Sequence, residues 1–193
     1  MKKLGVGLAV AAGAAVLGFG YYMYGMQSAG SGALEPQTPG VQATSAAPSG
    51  TTPLKPHRTP PEGQQEYYNE QYRFALFYPS NLTVRSFDEG GGAMSLSFQN
   101  VEAGQGFQIF VVPYNASQVT PAQFKKDEPS GVRQGARDVT IDGATATSFY
   151  STNALLGETA EVWFIHGGYL FEVTAPKSEA AWLSNIMASW QFL

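Results

Sequence analysis

The chain has 193 residues, 11 Lys and Arg against 15 Asp and Glu, and no cysteine. The missing cysteines exclude disulfide bonds, thiolate metal sites and cysteine nucleophiles. The net charge of −4 argues against a nucleic-acid partner, because an acidic surface repels phosphate groups. Charged residues make up only 13% of the chain, whereas Gly (22) and Pro (12) are frequent. This composition favours an exported or anchored protein with a flexible section over a compact cytosolic enzyme.

The first 26 residues predict a membrane anchor. After Lys2 and Lys3, the 23 residues from Leu4 to Met26 carry no charge. At about 1.5 Å per helical residue, this run is long enough to cross a hydrocarbon core of about 30 Å. The two lysines predict a single pass of the cell membrane, with a cytoplasmic N-terminus and an extracytoplasmic C-terminal domain. Small residues at 31–33 also allow cleavage as a signal peptide, in which case the protein is secreted.

Residues 27–63 predict a disordered linker. The segment is dominated by Pro, Gly, Ser, Thr and Ala. The segment has few large apolar side chains, and their burial cannot offset the entropy lost when a chain is ordered. Lys55, His57 and Arg58 lie near its end, and we expect them to be solvated linker charges.

Residues 64–193 are predicted to form one α+β domain, which holds 13 acidic and 7 basic residues. Alternating apolar and polar residues indicate antiparallel strands with one buried face, as where Met94, Leu96 and Phe98 alternate with Ser and Gln. Asp142-Gly143 and Gly167-Gly168 are two-residue pairs that suit tight hairpin turns.

Two helices are predicted beside these strands. Thr120 is a typical capping residue, Pro121 suits the first helical position, and Pro129 ends the segment. Residues 178–189 place their apolar side chains on one side, which predicts an amphipathic helix that covers a sheet. A short strand is expected after this helix, at 190–192. The pattern as a whole predicts an antiparallel β-sheet flanked by helices.

Three short motifs resemble the PsbP-like family. They are an aromatic strand pair (Tyr67-Tyr68-Asn69, then residues 72–79), the Ile141-Asp142-Gly143 turn, and a terminal helix that runs into Ser189-Trp190-Gln191-Phe192. The family includes the extrinsic PsbP subunit of the oxygen-evolving photosystem and many exported bacterial proteins without an assigned role. The resemblance covers residues 64–193 and implies a central antiparallel sheet flanked by helices. It brings no catalytic residues, and the anchor and linker differ from the photosynthetic proteins, so it implies a generic extracytoplasmic module.

The sequence predicts no catalytic residue, no cofactor-binding residue and no metal ligand. His166 is the only histidine of the predicted domain, and the chain has no Gly-x-Ser-x-Gly, phosphate-loop or His-Glu-x-x-His motif. Two acidic pairs, Asp88-Glu89 and Asp127-Glu128, are expected to be solvated turn charges. Glu161 and Glu172 lie on facing hairpin strands, where they are either close together or separate surface acids.

Aromatic residues supply the candidate partner-binding positions, Trp163 and Tyr169. Trp163 alternates with Val162 and Phe164, so it points to the opposite face of its strand. We therefore expect Trp163 to be an exposed anchor for a partner.

These observations lead to the hypothesis of a membrane-anchored, non-catalytic binding or assembly module. Its expected partners are the membrane, through the N-terminal helix, and a protein or another envelope component. Two alternatives remain open at this point: a surface carbohydrate-processing hydrolase that uses domain carboxylates, and a structural stabiliser of a membrane complex. The sequence predicts no cofactor and leaves the oligomeric state open.

Overall fold

A computed structural model describes residues 53–193. The predicted anchor at 1–26 and the predicted linker up to residue 52 lie outside the described residues. No helix within 53–193 has the length and apolar character needed to cross a membrane.

The described residues form ten strands, two α-helices and one turn of 3-10 helix. The strands are β1 (Gln64–Asn69), β2 (Phe74–Pro79), β3 (Thr83–Gly90), β4 (Ala93–Asn100), β5 (Gln105–Pro113), β6 (Gln134–Ile141), β7 (Ala144–Asn153), β8 (Gly157–His166), β9 (Tyr169–Pro176) and β10 (Gln191–Phe192). The helices are α1 (Pro121–Asp127) and α2 (Ala180–Met187), and the 3-10 turn is Lys177–Glu179.

The strands form two antiparallel sheets, whereas the sequence pattern predicted one. The larger sheet has seven strands in the order β3-β4-β5-β9-β8-β7-β6, and the smaller one has the order β1-β2-β10. The α+β class and the antiparallel pairing are confirmed. The sequence analysis missed β3, because this edge strand is mostly exposed and lacks an alternating apolar pattern.

Both predicted hairpin turns are present. Asp142 and Gly143 have φ angles of 42° and 84°, and Gly167 and Gly168 have φ angles of 58° and 83°. Two successive positive φ angles are the geometry of a type I′ turn, whose twist matches that of the flanking strands. The turns therefore set the register of β6 with β7 and of β8 with β9.

An aromatic core lies between the two sheets. Phe74 of β2 stacks on Trp190 at 4.5 Å between ring centroids and meets Phe171 of β9 edge-on at 5.6 Å. The helix α2 packs beside this core and buries Leu183 and Ile186, as its amphipathic pattern predicted. The sheet face turned toward this core is called the inner face below.

Residues 55–58 contact the domain, so the prediction of solvated linker charges is wrong for them. Arg58 donates from Nε to Glu66 Oε1 at 2.9 Å and from Nη1 to the Ser189 carbonyl at 2.7 Å. Its guanidinium also lies 4.2 Å from the centre of the Phe77 ring. Glu66 is the physical cause of this arrangement, because its nearly buried carboxylate needs hydrogen-bond donors, which His57 and Arg58 supply.

Candidate functional site

The outer face of the large sheet, opposite the aromatic core, carries polar residues at its centre. On β8, Ala160, Val162 and Phe164 point to the inner face, so Thr159, Glu161 and Trp163 point to the outer face. Central strands of a covered sheet are buried on both faces, and here Thr159 is 0% exposed. The outer face therefore places polar side chains where water does not reach them.

The helix α1 lies over this part of the outer face. Thr120 caps it, since its Oγ1 accepts a hydrogen bond from the Gln123 amide at 3.1 Å, and Pro121 occupies the first turn. The Phe124 ring packs against Trp163 at 5.4 Å and Phe149 at 5.7 Å between centroids. This aromatic contact docks α1 on strands β7 and β8.

Four buried acidic residues, Asp127, Glu128, Glu161 and Glu172, lie where the end of α1 meets strands β8 and β9. We call them the acid cluster. Their exposed fractions are 4%, 8%, 2% and 6%. The expectation that Asp127-Glu128 is a solvated turn pair is wrong, because the C-terminal end of α1 turns both side chains toward the sheet. For Glu161 and Glu172, the interpretation as surface acids is wrong, since both strands are covered on both faces.

Neutral donors satisfy part of the acid cluster. Glu161 Oε2 accepts hydrogen bonds from Thr174 Oγ1 at 2.6 Å and from Trp163 Nε1 at 3.3 Å. Glu128 Oε1 accepts from Ser130 Oγ at 2.7 Å, and Asp127 Oδ2 accepts from Gln123 Nε2. The ion pairs formed by Lys55, His57, Arg58 and Lys177 use other acids.

Burial raises the pKa of two of these acids. Desolvation raises the pKa of Glu161 to about 7, although the hydrogen bonds from Thr174 and Trp163 act in the opposite direction. Desolvation also raises the pKa of Glu172 well above its ordinary value, and the nearby carboxyl groups of Asp127, Glu161 and Glu128 add to the rise. Burial therefore favours the neutral, protonated form of Glu172.

Within residues 53–193, two oxygens of the acid cluster have no hydrogen-bond donor. They are Oδ1 of Asp127 and Oε1 of Glu172, and both are inaccessible to solvent. The two side chains are within hydrogen-bonding contact of each other. A carboxylate only accepts, so the contact is satisfied only when one of the two groups carries a proton.

Beside α1, the outer face opens into a cleft of about 670 Å³. Its walls come from the loop before α1, from Arg133, and from strands β6, β7 and β8. The lining combines polar, charged and aromatic groups, namely Ser117, Gln118, Phe124, Arg133, Asp138, Thr145, Thr147, Phe149, Trp163 and His166. None of the four acids of the cluster lines this cleft. In residues 53–193, no group of three or more His, Asp or Glu side chains is arranged to hold a metal ion.

The two predicted partner-binding residues do not share a surface. Trp163 lies at the floor of the cleft and is only 5% exposed, so the expectation of an exposed anchor is wrong. The reason is α1, whose Phe124 covers the ring. Tyr169 packs on the inner-face core and meets Tyr72 edge-on at 5.0 Å between centroids.

A sequence signal for the acid cluster exists but is easily missed. Glu161 and Glu172 each stand within an otherwise apolar stretch, Ala160–Ile165 and Tyr169–Val173. Such uninterrupted stretches are typical of central strands that are buried on both faces, so a lone Glu inside one predicts a buried acid. The same signal does not identify Asp127 and Glu128, since their burial depends on how α1 docks.

The chain is similar to known proteins at the level of solved structures. No family model matches the chain, and no curated protein matches it. The chain is similar to the solution structure of cyanobacterial PsbP (CyanoP) from Synechocystis sp. PCC 6803, with 13% sequence identity and a TM-score of 0.48. The similarity covers 68% of this chain and 93% of the cyanobacterial one. Membership of the PsbP-like family stays a prediction from the sequence motifs.

Proposed function

We propose that this protein is a non-catalytic binding module, anchored in the membrane by residues 1–26, that recognises a protein or another envelope component through the cleft beside α1. The observation that carries the proposal is the lining of the cleft. Arg133 and Asp138 provide opposite charges, and Thr145 and Thr147 provide hydroxyl groups that both donate and accept hydrogen bonds. Mixed polar groups around an aromatic floor are typical of recognition sites.

The position of the acids supports binding over hydrolysis. A carbohydrate-processing hydrolase needs two carboxyl groups that reach the scissile bond from the wall of a cleft. Glu161 and Glu172 are covered by α1 instead, and the walls of the cleft contain one acid, Asp138. We therefore assign the acids to the packing of α1 and the cleft to recognition.

Capture of the partner by the full-length protein tests the proposal. Tagged wild type is purified from native membranes beside Thr145→Arg, which places a long cation in the mouth of the cleft. Thr152→Arg is the matched control, because Thr152 is exposed on the same strand but does not line the cleft. We expect one enriched partner that the control retains and the cleft variant loses, and that binds the purified protein directly.

Two results overturn the proposal. One is that the wild type enriches no partner, in which case glycan and small-substrate screens become the next step. The other is that both arginine variants retain the partner equally, which places recognition elsewhere on the chain.

A further inference from the structure

The contact between α1 and the sheet lacks the charge pairing that normally accompanies buried acids. Asp127 at the end of α1 meets Glu172 of β9, and each keeps one oxygen without a donor. Two ionised carboxylates in such a contact repel each other and leave two buried acceptors unsatisfied. One proton between them turns the repulsion into a short, charge-assisted hydrogen bond.

The charged groups around this contact do not neutralise it, so the hydrogen-bond donor that it needs is a proton on one of the two carboxyl groups. Glu161 on β8 and Glu128 after α1 add negative charge when ionised, and on β5 the register partner of Glu172 is Phe110. Among the neighbouring cations, Arg133 lies over the rings of Phe124 and Phe149 at about 5.5 Å and 5.4 Å.

The remaining neighbours are neutral or point to solvent. Gln123 uses its amide on the other oxygen of Asp127, Oδ2. Lys125 and Lys126 lie on the exposed side of α1. On β7, Ser151 is paired with Ser130 at 3.2 Å between their hydroxyl oxygens.

We propose that a proton shared between Asp127 and Glu172 fastens α1 to the sheet, and that its loss releases α1 and uncovers Trp163 in the cleft. The release step is proton dissociation from the carboxyl pair to water, with no other bond made or broken. This inference rests on the proposed function in one respect: the cleft that the pH controls is the proposed binding site. In the released state, Trp163 becomes the aromatic anchor that its sequence position suggested.

The direction of the effect follows from linkage. Burial raises the pKa of Glu172 well above its ordinary value of 4.5 while α1 is docked, and the pKa returns toward that value once water reaches the carboxyl group. Docking therefore takes up a proton at any pH between these two values. Across that window, the ratio of docked to released α1 falls about tenfold for each unit of pH, and docking is strongest in acid.

Hydrogen exchange of the full-length protein, read by mass spectrometry from pH 5.5 to 9 and corrected for intrinsic exchange rates, tests the proposal. We expect peptides from residues 114–133 to lose protection progressively as the pH rises, while peptides from β4 and β5 keep theirs. The variants of the pair are made in the Glu161→Gln background, because Glu161 is the other buried acid of the cluster with a raised pKa. In that background, the carboxamide of Glu172→Gln donates to Asp127 Oδ1 at every pH, so α1 should stay protected throughout. Glu158→Gln is the control, because this exposed acid lies outside the cluster and should leave the wild-type profile unchanged.

Two outcomes refute the proposal. One is exchange of residues 114–133 in the wild type that does not depend on pH, and the other is a Glu161→Gln/Glu172→Gln profile that follows that of Glu161→Gln alone. If Glu172→Gln does not fold, Asp127→Asn serves instead, since its amide donates to Glu172 Oε1 and should lock α1 in the same way. The measurement uses no partner. Failure to capture a partner therefore overturns the proposed function and leaves the proton-dependent docking of α1 intact. Exchange that does not depend on pH overturns the docking proposal and leaves the proposed function intact.

Discussion

Replacing Glu161 with Gln should remove a stability loss that the wild type suffers as the pH rises. Burial raises the pKa of this carboxyl group from 4.5 to about 7 in the folded protein. Since one pKa unit corresponds to about 1.4 kcal/mol, ionisation of Glu161 costs the folded state about 3 kcal/mol above pH 7. Because the folded-state pKa is the higher one, the cost is absent below about pH 4.5 and grows as the pH rises from there to about 7.

The assay is urea unfolding of the full-length protein, followed by tryptophan fluorescence, from pH 4.5 to 8.5. Glu161→Gln keeps an oxygen that accepts from Thr174 and Trp163 but does not titrate. We expect the free energies of unfolding of variant and wild type to differ little at pH 4.5 and to diverge in favour of the variant, by about 3 kcal/mol, at pH 8. Glu158→Gln, at a side chain that is 66% exposed, serves as the control and should follow the wild type.

The same dependence on pH in Glu161→Gln and in the wild type would show that ionisation of Glu161 does not destabilise the folded protein. A variant that is less stable than the wild type at pH 8 would likewise show that the neutral side chain lacks the advantage that burial implies.

Two further predictions concern packing elsewhere in the domain. Arg58→Ala should lower the free energy of unfolding, measured in urea, by about 2 kcal/mol, because charge-assisted hydrogen bonds to Glu66 and to a backbone carbonyl are lost. Lys55→Ala is the control, since it removes only an exposed ion pair at 3.8 Å and should cost less than about 0.5 kcal/mol. Equal losses in the two variants would contradict this prediction. Gly106→Ala should destabilise the domain by about 1–3 kcal/mol in thermal unfolding, because its Cβ would lie 2.6 Å from the Phe98 carbonyl oxygen and push β4 and β5 apart. An unchanged melting temperature would contradict this, since it would show that the two strands move apart without loss of stability.

Much of the fold is predictable because local chemistry decides it. The Asp142-Gly143 pair accepts two positive φ angles, so the type I′ turn follows from the residues themselves. Thr120 and Pro121 start α1 for equally local reasons. By contrast, β3 and the separate small sheet are not predictable from local patterns, because strand pairing depends on partners that lie far away in the sequence.

The candidate site shows the same division more sharply. The sequence correctly predicts that Trp163 lies on the face opposite Val162 and Phe164, since side chains alternate along a strand. The prediction that Trp163 is exposed is wrong, because whether the outer face meets water depends on the docking of α1. Likewise, Arg58 reaches the Ser189 carbonyl, which lies 131 positions away in the sequence, so composition alone predicts a linker at residues 55–58.

The turns, the helix starts and the alternation of side chains along the strands follow from the amino-acid sequence alone, because each depends on residues a few positions apart. The burial of four carboxyl groups together beneath α1 depends instead on tertiary packing. A carboxyl group has its ordinary pKa in water, and its chemistry changes only when other parts of the chain remove the water and bring further acids beside it. The proton chemistry of Glu161 and Glu172 is therefore a property of the packed sheet and helix, which no stretch of sequence carries alone.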